Sequence, residues 1–159
     1  MADVRLRPMR EDEYSVWYDA ALETYAKEHA ATGAWPEEEA LERSRQEFGT
    51  LLPQGLASPG QHLYTILDQG RGDPLGMVWV AERGEPDTPH AFVYNIEIRH
   101  DQRGQGYGRA AMLALEQEVR ALGLQRIALH VFGHNETALR LYERTGYRAT
   151  NVLMAKDLG

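Results

Sequence analysis

Cysteine is absent from this 159-residue chain. Its absence excludes disulfide bridges, zinc sites built on thiolates and a cysteine nucleophile. No apolar run approaches the ~20 residues that a membrane-spanning helix needs, and the N-terminal residues lack the apolar core of a signal peptide. The formal net charge of −7 disfavours a broad nucleic-acid surface. We therefore expect a cytoplasmic protein that binds neither membranes nor nucleic acids.

Length and composition predict one folded domain over residues 1–159. A chain of this size buries roughly 70% of its unfolded surface, and 43% of its residues are hydrophobic. Apolar spacing and turn residues predict strands at 3–9, 61–67, 74–81, 91–99 and 126–132, helices at 11–32, 36–52, 108–122 and 135–146, and a closing hairpin at 147–157. This order predicts an α+β fold, in which one strand–loop–helix–strand unit makes two strands parallel.

A glycine-rich segment, residues 103–108 (RGQGYG), joins a predicted strand to the following helix. Such a turn directs backbone N–H groups and the helix dipole at one point, which suits a phosphate or pyrophosphate. A P-loop would need Lys and then Ser or Thr after its last glycine, where this chain has Arg109 and Ala110. A dinucleotide fingerprint would need GxGxxG, whereas this segment has GxGxG. A helix-start turn that binds nothing is the remaining alternative.

Two segments in a fixed order resemble a known family. The first is Arg-x-x-Gly-x-Gly at residues 103–108, directly after a strand. The second is an Asn-x-x-Ala-x-x-x-Tyr-x-x-x-Gly-Tyr segment, formed by Asn135, Ala138, Tyr142, Gly146 and Tyr147. Together they resemble the Gcn5-related N-acetyltransferase (GNAT) superfamily, whose layout the upstream strands and helices also match. More narrowly, the chain resembles a group of small, uncharacterised bacterial members.

The resemblance implies a GNAT-like acyl-CoA N-acyltransferase fold, with a mixed, mostly antiparallel central sheet flanked by helices. It also implies an N-acetyltransferase that carries an acetyl group from acetyl-CoA, its co-substrate, to an amine by direct attack in a ternary complex. The acceptor, a small molecule or a peptide, and the acyl chain length stay open. A catalytically inactive acyl-CoA-binding module of the same fold is the alternative. Relatives often form dimers, so a homodimer is one expectation.

The resemblance further assigns residues to acetyl-CoA. The glycine-rich segment would hold the pyrophosphate, and the backbone of the preceding strand would hold the pantetheine together with an Asn. The expected cofactor-binding residues are Ile96, Ile98, Arg103, Gly104, Gln105, Gly106, Tyr107, Gly108, Arg109 and Asn135. Asn135 also suits a helix N-cap, and the two arginines also suit a solvated helix start.

Acyl transfer to an amine needs a base and benefits from an acid. With a pKa near ~10, about one amine in a thousand is neutral at pH 7, so a base must remove the proton. His130 ranks slightly above Glu97 as that base, because a histidine titrates near the working pH and many relatives carry Glu at this position. Strict alternation would put Glu97 on the strand face of Val93. Tyr142 stands at the family's general-acid position, with core packing as its alternative role. We expect no metal, because His130 and His134 lack a third ligand.

The charge of the N-terminal third is strongly uneven. Residues 10–50 hold eleven acidic and four basic residues. Solvated helix faces are the simpler interpretation, and a field that favours a cationic acceptor is the other. The aromatic residues Trp17, Tyr18, Tyr25 and Trp35 are expected mainly in the core, with one or two lining the acceptor site.

Overall fold

The computed structural model describes residues 2–159, which divide into two compact units. The first unit reaches Leu129, and the second comprises His130–Gly159. The first contains β1 (Val4–Pro8), α1 (Glu11–Ala31), α2 (Ala40–Leu51), β2 (Gln61–Asp68), β3 (Pro74–Arg83), β4 (His90–Ile98), α3 (Tyr107–Ala121) and β5 (Ile127–Leu129). The second contains α4 (Glu136–Arg144). No helix within residues 2–159 is long and apolar enough to cross a membrane. A single domain over residues 1–159 stays a prediction.

The first unit is built on one mixed sheet with the strand order β1-β2-β3-β4-β5. The first three pairs of neighbours are antiparallel, and β4 with β5 is parallel. Parallel strands need a crossover connection, which α3 supplies. The predicted mixed, mostly antiparallel sheet with one parallel pair is confirmed.

Helices α1 and α2 cover one face of the sheet with an aromatic core. Trp17 of α1 contacts Trp79 of β3 edge-on, with ring centroids 5.6 Å apart, and stacks on Phe48 of α2 at 6.1 Å. The alternate residues of the strands, including the fully buried Ile66 and Val78, face the other side. Helix α3 contacts β1 and β4, and its apolar stripe, which contains the fully buried Met112 and Leu115, is in the core. The amphipathic period predicted for α3 is therefore observed.

Glu13, in the first turn of α1, ties that helix to the sheet. Its carboxylate accepts two hydrogen bonds of 2.9 Å from the Arg7 guanidinium of β1 and one of 3.0 Å from the Thr65 hydroxyl of β2. It also accepts from the backbone N–H of Arg10 at 2.9 Å, which satisfies a donor at the helix start. These bonds, led by the one from Arg7, lower the pKa of Glu13 from 4.5 to about 2.

The C-terminal part of the chain departs from the sequence prediction. The strand expected at 126–132 pairs only over Ile127–Leu129, and residues 147–157, expected as a hairpin, contain no strand. A strand needs a partner ladder and a face to bury, and an isolated hairpin is marginal in water. The apolar side chains expected to supply that face are largely exposed, with Leu153 at 94% and Met154 at 85%.

Candidate active site

Strand β4 extends beyond its pairing with β5, which ends at Leu129. The parallel pairing stops at Val93 and Leu129, whereas β4 continues to Ile98. The register of β4 against β3 shifts at the same point, so that Tyr94 is an extra residue, a β-bulge. In the described sheet, the β5-facing edge of β4 therefore has no strand partner beyond the bulge.

The bulge also decides which backbone groups face this open edge. The N–H of Arg99 donates to the carbonyl of Leu75 in β3 at 2.7 Å, so the backbone groups of Arg99 face β3. Successive residues of a strand direct their N–H and C=O groups to opposite edges. Ile96 and Ile98, the two residues of β4 that the resemblance assigns to the pantetheine, consequently direct their backbone groups toward the open edge.

On the edge of β4 opposite the open one, the backbone of β3 packs unusually close to Glu97 and Ile98. Gly76 of β3 pairs with Ile98 of β4. A Cβ atom at position 76 would collide with the carbonyl of Glu97 and come within 3.0 Å of the Ile98 Cα. Only glycine lets β3 pack this closely against the open part of β4.

The predicted glycine-rich segment forms a turn that starts α3. Gly104 and Gly106 adopt left-handed φ angles of 77° and 86°, which suit glycine. Gly106 is the N-cap of α3, so the N–H groups of Tyr107, Gly108 and Arg109 have no acceptor within the helix. The positive end of the helix dipole lies at the same place. This combination of donors and field suits a phosphate or pyrophosphate.

Arg103 connects this turn to the end of β4. Its Nε donates to the carbonyl of Ile98 at 2.9 Å, while the side chain stays exposed. Gln105 and Arg109 are exposed as well. Arg103 and Arg109 thus precede and follow the glycine turn in the sequence, and both side chains are exposed.

The side chain of Tyr107 has a different role from the one its position in the motif suggests. It is buried, and its hydroxyl donates to the Oδ2 atom of Asp68 at 3.0 Å. Asp68 also accepts from the backbone N–H groups of Arg71 and Gly70, at 2.9 and 3.0 Å, and these bonds, led by that of Arg71, lower its pKa. The side chain therefore anchors the start of α3 to the end of β2. Any contact of Tyr107 with a ligand at the turn would be made by its backbone N–H.

Glu97 carries the carboxylate nearest this edge in sequence, but not on the expected strand face. Val93 is buried at 4% exposure, whereas Glu97 is exposed, because the bulge at Tyr94 breaks the alternation between them. Desolvation by neighbouring atoms raises the pKa of Glu97, and the positive charge of Arg103 lowers it. A carboxylate whose pKa is raised binds protons more readily near neutral pH.

The second unit holds three of the predicted residues. The Oδ1 atom of Asn135 accepts from the N–H of Ala138 at 3.2 Å, so Asn135 is the N-cap of α4. Tyr142 lies on α4, partly buried, and its ring meets that of Tyr147 edge-on at 5.7 Å. Burial raises the pKa of Tyr142, which keeps its hydroxyl protonated at neutral pH.

His130 directly follows β5 in the chain and is exposed. Its ring meets that of Phe132 edge-on at 5.1 Å, and Phe132 stacks on His134 at 5.5 Å. The described residues include no group of three or more His, Asp or Glu placed to hold a metal ion. The first unit thus gathers the backbone of β4, Glu97 and the glycine turn, while His130, Asn135 and Tyr142 belong to the second.

The first unit also contains a cleft that the sequence did not define. It has a volume of about 700 Å³ and is lined by Tyr25, Trp35, Arg43, Gln46, Glu47, Thr50, Leu51 and Tyr94. Its walls come from α1, the segment between α1 and α2, α2 itself and the bulge of β4. The acidic excess and the aromatic residues of this region were visible in the sequence. Their meeting with β4 depends on the fold.

Comparison with known proteins gives a consistent result. The sequence model of the acetyltransferase (GNAT) family matches residues 12–147. The uncharacterised N-acetyltransferase YycN of Bacillus subtilis (strain 168) is 37% identical over 155 residues, which cover 98% of this chain and 99% of that protein. The uncharacterised N-acetyltransferase YdgE of the same strain is 34% identical over 153 residues, which cover 96% and 97% of the two chains.

Solved structures agree in fold. A crystal structure of YycN from Bacillus subtilis superposes with a TM-score of 0.91 and covers 98% of each chain. A structure from Pyrococcus furiosus superposes with a TM-score of 0.70 at 25% identity, covering 98% of this chain and 100% of the other. Both superpositions extend over nearly the whole length of the chain.

Proposed function

This chain belongs to the acetyltransferase (GNAT) family, and we propose that it moves the acetyl group of acetyl-CoA onto an amine by direct attack in a ternary complex. Membership of the family supports acetyl transfer in general. One observation carries the finer proposal. The unpaired edge of β4 is followed by a turn with the free N–H groups at the start of α3. The strand edge could therefore bind the pantetheine of acetyl-CoA, and the adjoining turn its pyrophosphate.

The residues of the first unit fit acetyl-CoA in their chemistry. We assign the pyrophosphate to the backbone of Gly104, Gln105, Gly106, Tyr107 and Gly108, because N–H groups at a helix start favour anions. Arg103 and Arg109 add two cations that pair well with phosphates. Ile96 offers its N–H and C=O groups to the amides of the pantetheine, and Ile98 offers its N–H, while the Ile98 carbonyl accepts from Arg103. In the second unit, Asn135 is assigned to the pantetheine by the family motif.

Acetyl-CoA supplies an activated acyl group whose thioester carbon accepts the amine. In the proposed step the ammonium group of the acceptor first loses a proton to the base, a bond then forms between the neutral amine nitrogen and the acetyl carbon, and the bond from that carbon to sulfur breaks. The amine proton goes to a base, and the sulfur receives a proton as it leaves. Backbone N–H groups on the open edge of β4 would stabilise the negative charge that develops on the acetyl oxygen.

We propose Tyr142 as the acid and either His130 or Glu97 as the base. Tyr142 is proposed from its position in the family motif, and its hydroxyl, which is protonated at neutral pH, can donate to the sulfur as the thiolate leaves. The raised pKa of Glu97 supports its part as the base, because desolvation makes its carboxylate more basic than an ordinary one. His130 is the other candidate, because histidine is the side chain that most often serves as a general base.

The experiment that tests acetyl-CoA binding is a thermal-unfolding titration with acetyl-CoA, beside ATP and NAD. A free ligand concentration a hundredfold above Kd stabilises the folded state by roughly 2.7 kcal/mol, and we expect this shift for acetyl-CoA alone. Thiol release from acetyl-CoA in the presence of amines then reports turnover. A folded protein that acetyl-CoA does not stabilise would refute the proposal.

The two candidate bases are separated by pH profiles of the variants His130→Ala and Glu97→Gln. The variant that lacks the base loses kcat at neutral pH and regains part of it as the pH approaches the pKa of the amine, because the acceptor then arrives deprotonated. A variant with the wild-type rate at every pH removes its residue from the mechanism.

A further inference from the structure

The cleft between α1, α2 and β4 combines aromatic walls with a carboxylate. The carboxylate belongs to Glu47 of α2, which is exposed, and its Oε2 atom accepts from the Tyr25 hydroxyl of α1 at 2.7 Å. Burial raises the pKa of Tyr25, and the bond to Glu47 adds to this effect, so the hydroxyl remains a donor. A carboxylate has about four acceptor sites. One bond from Tyr25 orients Glu47 and leaves acceptor capacity for a ligand.

Three aromatic rings form the walls around this carboxylate. The rings of Tyr25 and Trp35 meet edge-on with centroids 5.6 Å apart, and Trp35 also stacks on His29 at 4.3 Å. Tyr94 is held against Trp79 of the core at 4.6 Å. Tyr25, Trp35 and Tyr94 are each only partly buried and line the cleft. Faces of Trp and Tyr attract a cation within about 6 Å and offer flat apolar surface.

The charges of the cleft limit the kind of ligand. Among its described lining residues Glu47 is the only carboxylate, and Arg43 is the only cation. The Arg43 guanidinium pairs at 3.3 Å with Glu39, the residue that precedes α2. A ligand with one ammonium group therefore finds one partner in Glu47, whereas a polyamine would leave further ammonium groups without carboxylates in the cleft.

The position of the cleft relates it to the reaction. Tyr94, one of its lining residues, is the bulge residue at which the edge of β4 becomes free. The cleft therefore adjoins the strand segment to which we assign the acyl-pantetheine. All the residues concerned lie in the first unit.

We propose that this cleft is the acceptor site and that the acceptor is a small monoamine with a flat, apolar body. Its ammonium group binds Glu47, and its body lies between the rings of Tyr25, Trp35 and Tyr94. This assignment rests on the proposed acetyl transfer and names its substrate class. Glu47 acts in recognition of the acceptor and not as the base.

The test measures binding of three probes in the absence of acetyl-CoA. Phenethylamine has the proposed features, 2-phenylethanol has the same body without charge, and spermidine has several charges without a flat body. Trp35 is the partly exposed tryptophan, while Trp17 and Trp79 are buried, so quenching of Trp35 emission reports occupancy. The variant Trp35→Phe should abolish the signal. We expect phenethylamine to bind at least tenfold more tightly than either of the other probes.

The variant Glu47→Gln tests the carboxylate while keeping an acceptor for the Tyr25 hydroxyl. It should weaken phenethylamine binding about tenfold and leave 2-phenylethanol binding unchanged. Glu42→Gln is the matched control, because Glu42 is an exposed acid of the same helix outside the cleft. Equal affinity for the alcohol and the amine, preference for spermidine, or no effect of Glu47→Gln would each overturn the proposal. Acetyl-CoA binding is measured separately, so failure of this site and failure of the proposed function give different results.

Discussion

The pKa of Glu13 predicts how much the bonds between its carboxylate, β1 and β2 stabilise the folded protein. The carboxyl group titrates near 4.5 when unperturbed and near 2 in the folded protein. The folded state therefore binds fewer protons than the unfolded state between these values, and each pKa unit corresponds to about 1.4 kcal/mol, which gives roughly 3 kcal/mol of stability at pH 7. With 25% of the Glu13 side chain exposed, solvent screens part of this contribution. We therefore expect Glu13→Gln to lower the free energy of unfolding at pH 7 by roughly 2 kcal/mol.

The pH dependence distinguishes this electrostatic contribution from a packing effect. The stability from Glu13 is fully present above pH 4.5 and is lost as the pH falls toward 2. At pH 3 about two fifths of it should remain. Urea unfolding of the wild type and Glu13→Gln at pH 7, 4 and 3 measures the difference, with Glu11→Gln in the same helical turn as the control. If the wild type and Glu13→Gln differ in free energy of unfolding by the same amount at all three pH values, the contribution of Glu13 does not come from its charge.

Three further predictions concern the candidate active site. Tyr142→Phe should lower kcat at least tenfold in a steady-state assay with little change in acetyl-CoA affinity, because a hydroxyl proton donor is lost. The control Tyr147→Phe, at the ring that contacts Tyr142, should leave kcat nearly unchanged. Equal effects of the two substitutions on kcat would contradict the acid role of Tyr142. Gly76→Ala should lower the free energy of unfolding in urea by about 3 kcal/mol, because the added Cβ meets the carbonyl of Glu97 in β4. The control Gly49→Ala, which adds a Cβ in open space on α2, should raise the free energy of unfolding by about 0.5–1 kcal/mol. A Gly76→Ala variant as stable as the wild type would contradict the close approach of the two strands. Tyr107→Phe removes the hydrogen bond from Tyr107 to Asp68 that anchors α3, and it should raise KM for acetyl-CoA several-fold with kcat nearly constant. An unchanged KM would show that this hydrogen bond does not position the turn.

Local pattern was sufficient to predict most of the first unit. Apolar spacing predicted α1 at 11–32, and the helix runs over Glu11–Ala31. The strand predicted at 61–67 is observed as Gln61–Asp68. The glycines of the predicted turn lie at the start of α3, as the motif required. These features depend on residues close together in the chain, which is why a single sequence contains them.

The features that shape the site depend on distant partners and could not be predicted in this way. The bulge at Tyr94 arises from the register between β3 and β4, so strict alternation assigned Glu97 to the wrong face. The burial of the Tyr107 side chain depends on Asp68, 39 residues away. The cleft requires Tyr25 and Glu47, 22 residues apart, to meet across two helices. None of these contacts leaves a periodic signal in the sequence.

The proposed function depends on the binding of acetyl-CoA along the open edge of β4 and over the turn that starts α3. Backbone amide ¹H–¹⁵N shifts, recorded during an acetyl-CoA titration of the full chain, test it residue by residue. We expect the largest saturable changes at Ile96, Ile98 and residues 103–108, with Gly49 on α2 as an unaffected reference. Saturable binding that leaves the amides of Ile96, Ile98 and the turn unchanged would contradict it.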